Sequence, residues 1–264
     1  MSRLSLLLSV ALVCGCADAY VQPRAGNSQV HKFGNNADID NAETEDIWDG
    51  GNNANADGAY TYPSTAEELH ISSSEGADTQ QITVRGLDAD WNDQEVTVTL
   101  AGQTETVIGT SITWIRAFRA FNANSTALTG TVYIYADDTV VAGVPQTNNK
   151  VRAIITIGED QTLMALYSVP LGKEFVVTAW YAALTGTAVA APIVRLKTRE
   201  FGKSFRTTEL RTLNSTGNSS ADRAYALPIR FPAKSDIKMD TTANAANTKV
   251  AAGFDGFLIA AGSR

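Results

Sequence analysis

The sequence predicts a mainly β protein built from antiparallel β-sandwich or Greek-key units, and three observations support this prediction. Short segments rich in β-branched and aromatic residues follow one another along the chain, and turn residues separate them. Residues 96–100 alternate strictly, so Val96, Val98 and Leu100 face a core while the threonines between them face outward. No segment keeps a helical period with a cap at each end. Two packed β units preceded by an extended N-terminal arm account for the 264 residues.

The first residues predict a secretory signal peptide. Arg3 gives a basic start, residues 4–16 are mostly apolar, and residues 17–19 (Ala-Asp-Ala) form an A-x-A cleavage site. The apolar stretch is shorter than the roughly 20 residues that a membrane-spanning helix needs. Two alternatives stay open: a lipoprotein-like box that would leave a lipid on Cys16, and a buried N-terminal strand or helix.

A second targeting element follows the predicted cleavage site. Tyr20 comes directly after the Ala-Asp-Ala motif, and the next residues include Arg24, His31 and Lys32 but no acid. Transit peptides are typically basic and poor in acid, and the Ala-Asp-Ala-Tyr junction resembles the bipartite presequences of algae with secondary plastids. We therefore predict a signal peptide over residues 1–19 and a plastid transit segment over residues 20–33.

The remaining chain divides into three predicted parts. Residues 34–63 are dominated by Asn, Asp and Gly and predict an extended acidic arm, whose aromatic residues dock on its own domain or on a neighbour. Residues 64–148 form the first β unit and residues 149–264 the second. The second unit ends in an apolar tail, which is either a final strand of its own sheet or exchanged with a neighbouring subunit. Pro228 and Pro232 bracket residues 229–231, which predicts a strand that lies at a sheet edge or is very short.

The chain lacks the residue patterns of common catalytic and metal sites. Both cysteines lie in the predicted signal peptide, and His31 and His70 fit structural roles. The patterns H-E-x-x-H, G-x-S-x-G, G-x-G-x-x-G and the Walker motif are all missing from the sequence. The acidic run at residues 38–49 resembles an EF-hand loop, but Glu43 stands where the turn requires glycine. We therefore predict no enzyme activity, no metal and no cofactor.

Charge is distributed unevenly along the chain, whose net charge is −7. Residues 34–105 contain sixteen acids and one base, whereas residues 195–238 contain ten bases and four acids. One interpretation is an ordinary solvated surface. The other is that the acidic part of one copy meets the basic part of the next, a contact that builds sheets or filaments because it does not close. The acidic total and the few aromatic residues near the basic segment argue against nucleic-acid binding.

Four long motifs carry a resemblance to a known family. They are HKFGNNADIDNAETEDIWDGG, TAEELHISSSEGADTQQITVRGLDADWNDQEVTVTLAG, QTLMALYSVPLGKEFVVTAWYA and LPIRFPAKSDIKMDTTANAANTKVAAGFDGFLI. In this order they resemble the pyrenoid shell (PyShell) proteins of diatoms and related algae, over essentially all of residues 31–260. The chain also resembles structural proteins of marine tailed phages.

The resemblance implies a structural role. Pyrenoid shell proteins assemble into a sheet around the Rubisco matrix, in support of the CO2-concentrating mechanism and carbon fixation. For this chain it implies a chloroplast protein of the stroma at the pyrenoid periphery. The implied partners are further copies in a sheet or tube, other shell paralogues and the Rubisco matrix, without nucleic acid and without a membrane for the mature form.

Two other functions are alternatives. A phage-like virion decoration or fibre protein would share the fold without the presequence. A secreted carbohydrate-binding sandwich would expose a tryptophan platform, but Trp114 and Trp180 lie inside strand patterns and are predicted core residues.

Five apolar side chains are candidates for self-assembly. Aromatic anchors usually dominate protein interfaces, and the arm and the tail each supply some. We expect the following residues to contact adjacent copies: Trp48, Phe254, Phe257, Leu258 and Ile259.

Overall fold

The computed structural model describes residues 28–186, 190–217 and 219–262, so the predicted signal peptide lies outside the described residues. The prediction of a mainly β fold is confirmed, and within these ranges the helical elements are two short 3₁₀ helices, Asp49–Asn52 and Asn148–Lys150. No helix in the described part of the chain could span a bilayer. The strands are β1 (Ser28–Ile39), β2 (Thr44–Asp46), β3 (Leu69–Ser73), β4 (Gln81–Asp88), β5 (Asp93–Thr99), β6 (Thr106–Val107), β7 (Trp114–Asn122), β8 (Val132–Ala136), β9 (Val140–Val141), β10 (Val144–Pro145), β11 (Val151–Ile155), β12 (Leu166–Ser168), β13 (Lys173–Leu184), β14 (Ile193–Glu200), β15 (Arg206–Thr212), β16 (Ser220–Phe231), β17 (Ser235–Thr242) and β18 (Thr248–Ala260).

The first sandwich packs the sheet β11-β8-β3-β6 against the sheet β5-β4-β7, and the β9-β10 hairpin lies beside it. Strand β5 shows how the sequence pattern sets its orientation. Val96 and Val98 pack on the core, whereas Thr97 and Thr99 are exposed, as the strict alternation predicts. Trp114 is buried in the same core, which confirms the prediction for this residue.

The second sandwich packs the sheet β1-β18-β13-β16 against the sheet β12-β17-β14-β15, with β2 paired to β17. Its core is formed by the inward faces of both sheets, and Trp180 is completely buried there, as predicted. All strand pairs in the two sandwiches are antiparallel.

The predicted arm is not a projecting segment, because β1 is an integral strand of the second sandwich. β1 runs antiparallel to β18 from the pair Ser28–Leu258 to the pair Ile39–Thr248. Its Asn- and Gly-rich composition predicts irregular structure, but glycine is required here. A Cβ atom on Gly34 would lie 2.3 Å from the backbone oxygen of Ile47. The predicted end of the transit segment at residue 33 therefore falls inside a paired strand.

The remainder of the predicted arm crosses between the two sandwiches. β2 pairs with β17 of the second sandwich, and Ile47 lies in the second core. The next residue, Trp48, points the other way and lies in the first core. Successive side chains of an extended segment face opposite sides, so one short stretch joins both cores.

The predicted boundary at residues 148 and 149 is also wrong. β11 pairs with β8, so the first sandwich continues to Ile155, and the polar stretch before it is a 3₁₀ turn within that sandwich. The chain passes to the second sandwich between β11 and β12. The polar residues before β11 form a turn that reverses the chain within one sheet, since β8 and β11 are paired. They do not mark a domain boundary.

We expect the second sandwich to depend on β1. Removing residues 1–39 exposes one edge of β18 and removes the buried side chain of Ile39, so the loss should exceed about 5 kcal/mol, comparable with the stability of a whole domain. Removing residues 1–27 leaves every described contact in place and should preserve the unfolding transition. Circular dichroism during heating distinguishes the two variants, and equal melting temperatures would contradict this role of β1.

Candidate functional site

A buried ion cluster joins the two sandwiches. Arg116 on β7 donates from Nε and Nη2 to the two carboxylate oxygens of Asp236 on β17, at 2.9 Å each. Arg199 Nε donates to Asp236 Oδ2 at 3.0 Å, and Ser168 Oγ donates to Oδ1 at 2.5 Å. Such bidentate, charge-assisted hydrogen bonds fix both distance and orientation. No sequence motif predicts this cluster, because its members lie far apart in the chain.

Aromatic rings surround the guanidinium group of Arg116. Its centre lies 5.1 Å from the ring centroid of Trp91, 5.2 Å from that of Tyr62 and 5.7 Å from that of Phe201. Arg116 Nη1 also donates to the backbone oxygen of Pro63 at 2.8 Å. The donors and the charge are thus satisfied by the protein itself, and the cluster has a structural role.

Opposite charges that the sequence places far apart meet within one chain. Asp46, from the acidic region, lies 2.5 Å from the Nζ atom of Lys238, from the basic region. Asp240 Oδ2 lies 2.6 Å from Lys197 Nζ, and Asp240 Oδ1 lies 3.4 Å from Arg195 Nη1. Part of the charge asymmetry is therefore neutralised within one chain.

The structure places most of the predicted assembly residues in the chain's own cores. Trp48 is 1% exposed and donates from Nε1 to the oxygen of Gly58 at 3.1 Å. Phe254, Leu258 and Ile259 are buried in β18, which is paired on both sides by β1 and β13. Phe257 is only partly exposed. The tail is thus the final strand of its own sheet, the first of the two alternatives, and these side chains are committed to intrachain packing.

Several strands end a sheet in the described ranges, and β5, β15 and β16 are among them. β5 ends the sheet β5-β4-β7, β15 ends one sheet of the second sandwich, and β16 ends the other. β16 is interrupted, because its residues 225–228 face the single residue Thr178 of β13, and Leu227 in this bulge is 84% exposed. A bulge with a proline protects an edge from further pairing, and the edge position confirms the prediction made from Pro228.

The edges of β5 and β15 carry opposite charge. β5 is paired with β4 in unbroken register over seven residues, and Asp90 and Asp93 are exposed at its start. β15 also has seven residues, with one bulge, and Lys203 and Arg206 are exposed at its start. None of these four side chains forms an ion pair with another described residue. Leu210 on β15 is half exposed.

A cleft lies where β1 meets the first sandwich. It has a volume of about 320 Å³, and its lining includes Lys32, Phe118 and Arg119. Lys32 is 7% exposed, and its Nζ donates to the backbone oxygen of Phe118. Burial and, to a smaller extent, the charge of Arg119 lower the pKa of Lys32 to about 7. Lys32 lies in the predicted transit segment, and its buried position follows only from the pairing of β1 with β18.

Three carboxylates of the acidic run lie close together. Oxygen atoms of Asp40, Glu43 and Glu45 are all within 4.8 Å of one another. Glu45 Oε1 accepts a hydrogen bond from the backbone nitrogen of Asp40 at 2.7 Å, and its Oε2 accepts one from Asn36 at 2.9 Å. Burial raises the pKa of Glu45. Because both oxygens of the buried carboxylate already accept hydrogen bonds from the protein, we assign no ligand to this group.

Comparisons with known proteins identify no relative that assigns a function. No family model matches the chain, and no curated protein matches it. Among solved structures, infectious bursal disease virus strain Gx matches with 9% identity and a TM-score of 0.24, covering 93% of this chain and 76% of the other. The VP2 subviral particle of the same virus matches with 10% identity and a TM-score of 0.22, covering 92% and 75%. Likenesses this weak carry no conclusion about fold or function.

Trp48 should behave as a core residue rather than as an interface anchor. Replacing Trp48 with alanine leaves a large cavity in the first core, so we expect a loss of about 3–5 kcal/mol in the free energy of unfolding. The matched control is Leu227→Ala, which removes an exposed side chain and should change stability by no more than about 0.5 kcal/mol. Denaturant titration measures both. A Trp48→Ala variant as stable as the wild type would show that the side chain is not packed as described.

Lys32 should make stability depend on pH. Its pKa of about 7 in the folded chain lies below the ordinary value of 10.5, so between these values the unfolded chain binds more protons. Relative to a variant without this amine, stability should therefore rise from pH 8 to pH 10, by at most about 1.4 kcal/mol per unit, and the contribution is constant well below pH 7. Asp49, whose pKa burial raises to about 8, and buried tyrosines such as Tyr60, whose pKa burial raises to about 12, act in the opposite direction in this range, and their effects cancel when the wild type is compared with a Lys32 variant.

The measurement is the free energy of unfolding at several pH values for the wild type and two variants. Lys32→Met should flatten the rise, whereas Lys249→Met, a change at an exposed lysine, should keep it. An identical slope in all three proteins would mean that Lys32 titrates normally.

Proposed function

We propose that this protein is a structural subunit that assembles with further copies into an extended sheet or tube, as pyrenoid shell proteins do around the Rubisco matrix. The observation that carries the proposal is the pair of exposed seven-residue strand edges of opposite charge, β5 in the first sandwich and β15 in the second. Single soluble domains usually protect such edges.

Edge pairing supplies a physical route to assembly. An exposed edge presents backbone N–H and C=O groups that a strand of another chain can satisfy, as in other cases of strand addition. A contact between β5 of one copy and β15 of the next uses two different surfaces, so it continues from copy to copy unless a rotation closes it. The bulge in β16 makes the edge of β16 less suited to pairing with a strand of another copy.

Charge selects the pairing of unlike edges. Asp90 and Asp93 near β5 would repel a second β5, and Lys203 and Arg206 near β15 would repel a second β15. The unlike combination brings acids to bases, which favours one partner by penalising the other. Exposed charges interact over roughly 10 Å at moderate salt, so the contact should weaken as the salt concentration rises.

The location belongs to the same proposal. The signal-like and transit-like segments and the resemblance to pyrenoid shell proteins support a plastid protein at the pyrenoid periphery. There the sheet would enclose Rubisco and support CO2 concentration, and the protein itself would carry out no reaction.

Negative-stain electron microscopy of protein starting at Ser28 tests the assembly. We expect sheets or tubes at low salt that dissolve at high salt. Reversing the acidic edge with Asp90→Lys and Asp93→Lys, or the basic edge with Lys203→Glu and Arg206→Glu, should abolish them. Neither reversal breaks an intrachain ion pair among the described residues. Glu75→Lys, a reversal in an exposed turn away from both edges, is the matched control and should assemble normally.

Mixing the two reversed proteins gives the sharpest result. In a mixture each reversed edge finds a complementary one, so sheets should reappear although neither protein assembles alone. A monomer under every condition would overturn the proposed function. Assembly that both reversals leave intact would instead overturn only the choice of edges.

A further inference from the structure

Lys32 differs from the other buried cations of the described chain. Arg116 is paired with Asp236, and Arg152 contacts Glu67. Lys32 is similarly buried, but within the described ranges no carboxylate lies within 4.0 Å of it, and its Nζ donates to the carbonyl oxygen of Phe118. A buried charge without a counter-charge is strongly unfavourable. This amine is therefore either neutral, or charged with an anion bound beside it.

A second, smaller pocket shares Gln29, His31, Lys32 and Arg119 with the cleft where β1 meets the first sandwich and is rich in donors; we call it the inner cleft. It has a volume of about 170 Å³, and the lining side chains besides Lys32 include Gln29, His31, Arg119, Gln161 and Thr162, with no carboxylate among the lining residues. Thr162 Oγ1 accepts a hydrogen bond from the backbone nitrogen of Ala120 at 3.1 Å. Its hydroxyl hydrogen is therefore free of that bond and available to a ligand.

Arg119 adds a second charge in an unusual setting. It lies directly across the sheet from Arg85, and both guanidinium groups flank the ring of Phe121, at 5.2 and 5.7 Å from its centroid. Arg85 has Glu95 as a partner, whereas Arg119 has no ion pair within the described ranges. Like charges directly opposite are unfavourable, and an anion beside Arg119 would offset this repulsion.

Acidic groups line the larger cleft but not the inner cleft. Asp93 and Glu95 belong to the lining of the larger cleft, where Glu95 contacts Arg85. Asp255 contacts the ring of His31. The inner cleft therefore keeps two cations and several neutral donors for a ligand small enough to enter.

We propose that the inner cleft binds a small oxyanion of the carboxylate or phosphate type. Lys32 Nζ and Arg119 supply the charged hydrogen bonds, and Gln161 and Thr162 supply neutral ones. Ionised donors form the stronger hydrogen bonds to such groups, and an arginine with a lysine is a common combination for them. The anion is either a free inorganic ion or a carboxylate side chain of a second copy. With a free ion the inference is independent of the proposed function, and with a second copy it rests on the proposed self-association.

The test uses the full chain, with inorganic phosphate as the probe and chloride at equal ionic strength as the reference. Phosphate should raise the melting temperature of the dilute protein, whereas chloride should not. Lys32→Met and Arg119→Gln should each weaken phosphate binding about tenfold or more, the effect of losing one charged hydrogen bond. Lys249→Met, at an exposed lysine outside the cleft, should bind phosphate normally. Lys32→Met removes a buried charge, so this variant should fold.

Two further readouts separate the sources of the anion. NMR of the Lys32 side chain should show its pKa rising when phosphate binds to the dilute protein, which indicates a free ion. If phosphate has no effect, but analytical ultracentrifugation shows self-association that both cleft variants lose and Lys249→Met keeps, a carboxylate of a second copy occupies the cleft. If phosphate changes neither the melting temperature nor the pKa of Lys32, and the cleft variants associate like the wild type, the inference is overturned.

Discussion

The ion pair between Arg116 and Asp236 fixes the two sandwiches in a single arrangement. Both residues are almost completely buried, and each belongs to a different sandwich. Separating the sandwiches would leave the buried charge of Arg116 without a counter-charge, because Asp236 would remain with Arg199 in the second sandwich, and an unpaired buried charge costs far more than the pair itself contributes. Contacts with this pair then position Arg199 and the aromatic rings around Arg116. The relative position of the β5 and β15 edges, and hence the direction of any assembly, depends on this constraint.

The chain ends contribute a second constraint. β1 and β18 are neighbours in one sheet, although almost the whole chain lies between them. In sequence, the first sandwich is therefore inserted between β2 and β12, and the second sandwich is built from both ends of the described chain. The cleft at Lys32 follows from this topology, because β1 brings its lysine against Phe118, a residue of β7 that is 86 positions away. Non-local pairing of this kind closes late in folding, since long loops must be ordered first.

Sequence reasoning could predict those parts of the fold that depend on local patterns. The alternation in β5 and the apolar segment that became β13 gave strands in the correct places, and Pro228 correctly indicated an edge. Strand β1 was not predicted, because its asparagines and glycines make contacts with other segments of the fold. Gly34 permits the close approach of the Ile47 backbone, and Asn36 donates a hydrogen bond to Glu45. Composition describes the local preference of such a segment and contains no information about the partner strand that overrides it.

The candidate sites were less predictable because charge in a sequence does not say which charges meet. The opposite charges of two regions suggested contacts between copies, yet Asp46 and Lys238 meet inside one chain. Buried charges need a fixed partner, whereas exposed charges such as Asp93 and Arg206 interact weakly and stay available. In the proposed assembly, the buried pairs would fix the fold and the exposed charges would select the partner. Salt would then weaken the exposed contacts by screening, while it leaves the buried Arg116–Asp236 pair intact.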